Sequence, residues 1–157
     1  EDDFRRDWEV NVLGAVRFLK ACQSRLKGTD GEPASVVLFS TVAVGQGMPM
    51  HSSVAAAKGA VEGLVRSLAA EWAPKVRVVG IVAGLIATEQ AELHYGDEAA
   101  QARVAATVPA GRLGLPEALA QACRWLSSPL ASYVSGSSVW VHGGGERPAF
   151  LDAARDD

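Results

Sequence analysis

The polar side chains that could do chemistry are few and fall into short stretches. Lys58 is the cation of the run Val54-Ala-Ala-Ala-Lys58-Gly59, and Thr41 supplies a hydroxyl just after the apolar run Ser35 to Ser40. His51 and Ser53 stand immediately ahead of the lysine run. Asn11 lies inside a helical pattern, where its amide competes for backbone hydrogen bonds and therefore needs a partner. These groups could hold or move a proton, the imidazole because it titrates near neutrality. Taken singly, each has a plainer explanation. Lys58 reads as a solvated charge on a helix face, and Thr41 as a β-branched residue at a strand end. His51 reads as a loop residue facing solvent, and His142, ahead of Gly143-Gly144-Gly145, as a surface or interface residue. Cys22 and Cys123 lie in helical patterns without metal-ligand spacing, which makes them two reduced thiols of a cytoplasmic protein.

Three helix–strand pairs must position these groups. Trp8, Val12, Ala15, Phe18, Leu19, Cys22 and Leu26 recur at steps of three and four, which predicts a helix over residues 4–27 ended by Gly28 and Asp30-Gly31. Residues 35–40 and 76–83 are short β-branched runs of the buried parallel kind. A second helix is predicted over 52–72, stopped by Pro74, and short mobile helical pieces over 89–108. Pro116 opens a third helix that runs to Ser128, and residues 138–142 form a third strand. Alternation of this order implies an α/β layer fold with a parallel sheet. Residues 1–145 form one domain, and 146–157 a polar tail expected to be ordered only against a neighbour.

Composition narrows the function classes. The 157 residues are 48% hydrophobic and carry a net charge of −3, so the chain is globular and a poor binder of nucleic acid or anionic membranes. Charged residues interrupt every apolar run well before bilayer length. Glu1 is not an initiator Met and the first residues resemble no signal peptide, so a longer chain is expected to have lost, or to be missing, its start.

Six segments in unbroken order, over about residues 5–145, resemble the C-terminal half of a short-chain dehydrogenase/reductase. Asn11-Val-Leu-Gly14 resembles the family's Asn-bearing helix, and Val36-Val-Leu-Phe-Ser40-Thr41 its strand ending in the catalytic Ser. Val54 to Gly59 resembles the Tyr-x-x-x-Lys helix start, and Arg77 to Thr88 the strand leading to a Pro-Gly turn and a Thr. Gly111 to Glu117 with Ser132 to Gly136, and Val139 to Gly144, resemble its last loop and strand. The resemblance implies a truncated, doubly wound Rossmann-type sheet. It also implies roles: Thr41 for the carbonyl-binding hydroxyl, Lys58 for the residue that lowers the phenol's pKa and holds the nicotinamide ribose, Asn11 for the water-holding amide, and Gly84 and Thr88 for the cofactor-side turn.

Two departures shape the functional expectation. No GxxxGxG turn occurs in the chain, so the cradle for the cofactor pyrophosphate is not among these residues. The tyrosine position is Val54, thirteen residues after Thr41 and four before Lys58, so the phenol is replaced and not shifted. Loss of positioned acid–base catalysis lowers rates roughly 10²- to 10⁴-fold. Ser53 is turned about 100° away around the helix and does not stand in for the phenol. Tyr95 and Tyr133 match no catalytic position. On this reading Asn11, Thr41, Val54, Lys58, Gly84 and Thr88 are vestigial, no NAD(P) and no metal are bound by this chain, and NAD(P) belongs to a partner. The expected partner is a full-length short-chain dehydrogenase subunit, joined as a heterotetramer through helices 4–27 and 52–72. A hydroxyacyl-CoA dehydrogenase built from two such subunits, as in anaerobic toluene degradation, is the implied example. The alternatives are an atypical oxidoreductase whose cofactor half lies outside these residues and, last, a structural half-domain of the polyketide ketoreductase kind.

Overall fold

The structure is a computed structural model, and it describes residues 1–29, 31–89 and 91–145. Three strands, β1 (Ala34–Thr41), β2 (Val76–Ala83) and β3 (Ser138–Val141), form one parallel sheet in the order β1-β2-β3. Register is set by β1 and β2 pairing along their whole length, Ala34 opposite Val76 and Thr41 opposite Ala83. β3 joins only the C-terminal half of β2, from Gly80 opposite Ser138 to Ala83 opposite Val141. Both predicted apolar runs are strands because most of their apolar side chains find an apolar layer, Phe39 at 41% exposure being the exception in β1. Val76 and Val78 of β2 pack with Val36, Val65, Ala69 and Leu19 on one face. Val79 and Ile81 pack with Leu126 and Ala131 on the other. The alternation is the strand's two-residue period, with both faces covered.

The helices supply those covers. α3 (Ser52–Trp72) spans one face, and its buried stripe Ala57, Val61, Val65, Ala69 recurs every four residues. α6 (Pro116–Leu126) covers the other face from a proline start. α4 (Ala91–Tyr95) and α5 (Glu98–Thr107) fill the segment between β2 and α6. Arg77, 6% exposed, ties the loop after α6 to the sheet by donating to the carbonyls of Val134 and Ser128.

Several expectations need correction. The first helix is not one regular α-helix over 4–27. It consists of α1 (Asp2–Asp7), a wider π-helical turn at Trp8–Leu13, α2 (Gly14–Cys22) and a 3₁₀ turn at Gln23–Arg25. The amide of Gly14 reaches back five residues to the Glu9 carbonyl, which is the mark of the wider turn. The chain leaves the helix before Gly28, and an antiparallel bridge between Thr29 and Glu32 makes the turn into β1. β1 extends through Thr41, the third helix stops at Leu126 and not Ser128, and β3 stops at Val141. The helical pieces expected over 89–108 are present as two short helices. The helical faces assigned to assembly also divide differently. Leu19 and Val61 belong to the chain's own core, Leu64 is half-buried, and Leu68 and Trp72 pack on that core. The large apolar side chains left exposed on the first helical rod are Phe4, Trp8, Val10, Val16 and Phe18. The tail 146–157 lies outside the described residues. Among the described residues no helix is long and apolar enough to cross a membrane.

Candidate functional site

The C-terminal ends of β1 and β2 stand level, because Thr41 pairs with Ala83. Ligands of open parallel sheets sit outside such strand ends. Here the structure gathers Ser40, Thr41, Lys58, Glu62 and Gly84. The Thr41 hydroxyl accepts the Ala43 amide at 3.4 Å and caps the 3₁₀ turn Val42–Val44. Lys58, one turn after Val54 on α3, donates its ammonium to the Phe39 carbonyl at 3.1 Å. Burial pushes the Lys58 pKa below its ordinary value. Lys58 is thus more than a solvated charge: it ties α3 to the end of β1.

A second tie was not read from the sequence. Ser40, 4% exposed, donates its hydroxyl to the Glu62 carboxylate at 2.6 Å. Glu62 follows Lys58 by four residues, so the two lie on one face of α3 and reach consecutive residues of β1. A lone carboxylate in the run Ala60-Val-Glu62-Gly-Leu-Val65, at helical spacing from Lys58, was the available signal.

Asn11 sits in the π-helical turn and donates its side-chain amide to the Asp7 carbonyl at 2.9 Å. The Asp7 carboxylate in turn accepts the Ser53 hydroxyl at 2.6 Å. Ser53 therefore faces the first helical rod, as the helical turn from Val54 requires. His51 is exposed, with Nδ1 2.7 Å from the Pro49 carbonyl. Val54 is half-buried at the head of α3. Gly84 is there for want of space: a Cβ would come within 2.7 Å of His142 Cα. Thr88 is exposed, and its carbonyl takes the Ala91 amide at the start of α4. His142 is half-buried, in an edge-type ring contact with Trp140. Both cysteines are free, and among the described residues no cluster of His, Cys, Asp or Glu could hold a metal. Burial raises the Cys123 thiol pKa.

Lys58 donates to the Phe39 carbonyl and the Gly84 amide to the Val141 carbonyl, so both donors at this strand end are engaged within the chain.

Comparison with known proteins decides the family. The family described as enoyl-(acyl carrier protein) reductase matches residues 1–146. The chain belongs to the short-chain dehydrogenase/reductase family. The crystal structure of a glucose/ribitol-type short-chain dehydrogenase/reductase from Brucella melitensis is 30% identical, with a TM-score of 0.84 over 94% of this chain and 58% of that one. The inactive 2-(S)-hydroxypropyl-CoM dehydrogenase 2 of Xanthobacter autotrophicus is 36% identical over 140 residues, covering 86% of this chain and 60% of that protein. An NADPH-bound short-chain oxidoreductase of Pseudomonas aeruginosa PAO1, described as containing an atypical catalytic centre, is 31% identical with a TM-score of 0.81, over 92% of this chain and 58% of that one. The chain spans between 26% and 60% of the length of the curated relatives it matches.

Proposed function

We propose that this chain is a non-catalytic subunit of a hetero-oligomeric, NAD(P)-dependent short-chain dehydrogenase, of the hydroxyacyl-CoA type, working beside a complete subunit that holds the cofactor in the cytoplasm. The observation that carries the reading is Val54. An isopropyl group stands where the family's phenol would exchange the proton of the substrate oxygen. The polar groups around it are already committed to structure: Lys58 to the Phe39 carbonyl, Thr41 to the Ala43 amide, and Ser53 to Asp7. A relative named as inactive supports the idea that the family keeps folds without turnover. The exposed apolar side chains of the first rod supply a surface for a partner. When bound in the partner, NAD(P) supplies the hydride chemistry.

The test is a turnover assay of the purified chain with NADH, NADPH and a panel of ketones and 3-ketoacyl-CoA thioesters. The reading predicts no rate above background. Saturable turnover near 1 s⁻¹, within the ordinary enzyme range, would overturn it.

One observation favours a second reading. An NADPH-bound relative is described as having an atypical catalytic centre. On that reading Thr41, Lys58 and Asn11 belong to a longer oxidoreductase that works without the phenol. Turnover by a longer form of the chain, lost on Lys58→Met, would favour it.

A further inference from the structure

Both methionines of the chain and one of its three histidines fall within four consecutive residues, Met48-Pro49-Met50-His51. The backbone closes these four into a β-turn, in which the His51 amide donates to the Met48 carbonyl at 3.3 Å. Pro49 takes the second position and Met50 the third, where φ is +63°. Turns of this pattern ordinarily place glycine or asparagine there, and among the described residues no other side-chain-bearing position has a positive φ. Met50 is also 99% exposed, so its side chain gains nothing from burial within the chain. A strained backbone that carries an unburied thioether is a cost that packing does not explain. His51 is exposed as well, and its Nδ1 lies 2.7 Å from the Pro49 carbonyl. A carbonyl only accepts, so in the neutral ring Nδ1 carries the proton and Nε2 keeps its lone pair.

One turn thus carries two thioethers and an imidazole with a defined tautomer. Its ends lie within roughly 7 Å of each other, and methionine side chains are unbranched and flexible enough to close on a common point. The donors are soft and neutral, and residues 45–53 contain no Asp, Glu or Cys. Thioethers select soft ions, and a set without negative charge disfavours divalent cations, whose ordinary ligands are carboxylates and thiolates. We propose that Met48, Met50 and His51 bind one Cu(I) ion through two sulfurs and Nε2. The bond from Nδ1 to the Pro49 carbonyl then holds the ring as outer partners do in histidine metal sites. Binding changes no oxidation state and releases no proton. The site stands whether or not the chain catalyses anything, because neither Val54 nor Lys58 takes part in it.

The experiment titrates the full chain, labelled with ¹³C at the methionine methyls and ¹⁵N in histidine, with Ag(I) as a redox-inert probe, and then with Cu(I) under anaerobic reducing conditions. The thiols of Cys22 and Cys123 also take such ions, so the readout is confined to the methyls of Met48 and Met50 and to His51 Nε2. All three signals are expected to shift together and saturate with either ion, and Zn(II) is expected to leave the methyls unmoved. Met50→Leu keeps the shape and removes a sulfur, and His51→Gln removes the imidazole. Each is expected to weaken binding at the remaining donors by roughly ten-fold or more, the scale on which even outer-shell changes act. Both residues are exposed, and should either variant not fold, the other and the unaltered chain decide the matter. Methyls that stay still while the ion is taken up, shifts that do not saturate, an equal response to Zn(II), or a folded variant that binds as well would overturn the proposal.

Discussion

Replacing Ser40 by alanine removes one hydroxyl and leaves the Glu62 carboxylate without its donor. The bond is 2.6 Å long and starts from a residue 4% exposed. Hydrogen bonds to charged groups contribute roughly 1.5–3 kcal/mol. Glu62 is only half-buried, so water recovers part of that, and Ser40→Ala is expected to lose about 1.5–2 kcal/mol. At roughly 2–4 °C per kcal/mol for a domain of this size, the melting temperature falls by about 3–8 °C. Glu62→Gln keeps an acceptor for the hydroxyl and should lose less, about 0.5–1 kcal/mol. Glu62→Ala strands the buried Ser40 hydroxyl, so the double variant should cost less than the two single ones together, with a coupling of about 1 kcal/mol. Urea denaturation of the parent and the four variants, with slopes compared to confirm the same unfolding transition, measures this directly. A Ser40→Ala loss below about 0.5 kcal/mol, or additive single variants, would refute the claim that this pair fastens β1 to α3.

Three further outcomes follow from the same geometry. Val54→Tyr should place a phenol one turn before Lys58, yet give the isolated chain no NAD(P)-dependent turnover in a spectrophotometric assay, since the sequence has no GxxxGxG turn of the kind that cradles a pyrophosphate. Burial holds the Lys58 pKa below 10.5, so the unfolded chain keeps its proton longer as pH rises, and the folded protein gains stability through that window. Lys58→Met lacks this gain, so its stability relative to the parent should decline as pH climbs toward 10.5, as read by denaturation at a series of pH values. Phe18, 68% exposed, should tolerate Phe18→Glu within about 0.5 kcal/mol in the lone chain, while the same change prevents association with a dehydrogenase subunit in size-exclusion chromatography.

Residues 76–83 were legible to the residue because every position in that run is apolar or small except Arg77, and a strand covered on both faces demands this. α3 was equally legible, opened by Ser52 and closed ahead of Pro74. The first helix was not, for a physical reason. Periodicity averages over a rod and does not register one widened turn, and Val12 and Leu19 stay buried on either side of it. The resemblance placed Thr41 at a strand end and Val54 and Lys58 at the head of a helix, which is where the folded chain has them. Their bonds could not be read, because the partners are distant in sequence: Ser40 with Glu62, Lys58 with Phe39, and Asp7 with Ser53. Apolar pattern likewise marked Leu19 and Val61 as burying residues without saying against what. The folded chain uses them for itself and leaves Trp8 and Phe18 outside.

The central claim is that this chain lends surface and not catalysis to a short-chain dehydrogenase. It is tested most directly by purifying the tagged chain from its own cells and weighing what accompanies it by size-exclusion chromatography with light scattering. The account predicts a stable complex with a subunit that carries an intact Tyr-x-x-x-Lys, in equal copies and most simply two of each, with all NAD(P)-dependent activity lost when that partner's tyrosine is changed to phenylalanine. A soluble monomer or homo-oligomer that turns over substrate without a partner would contradict it.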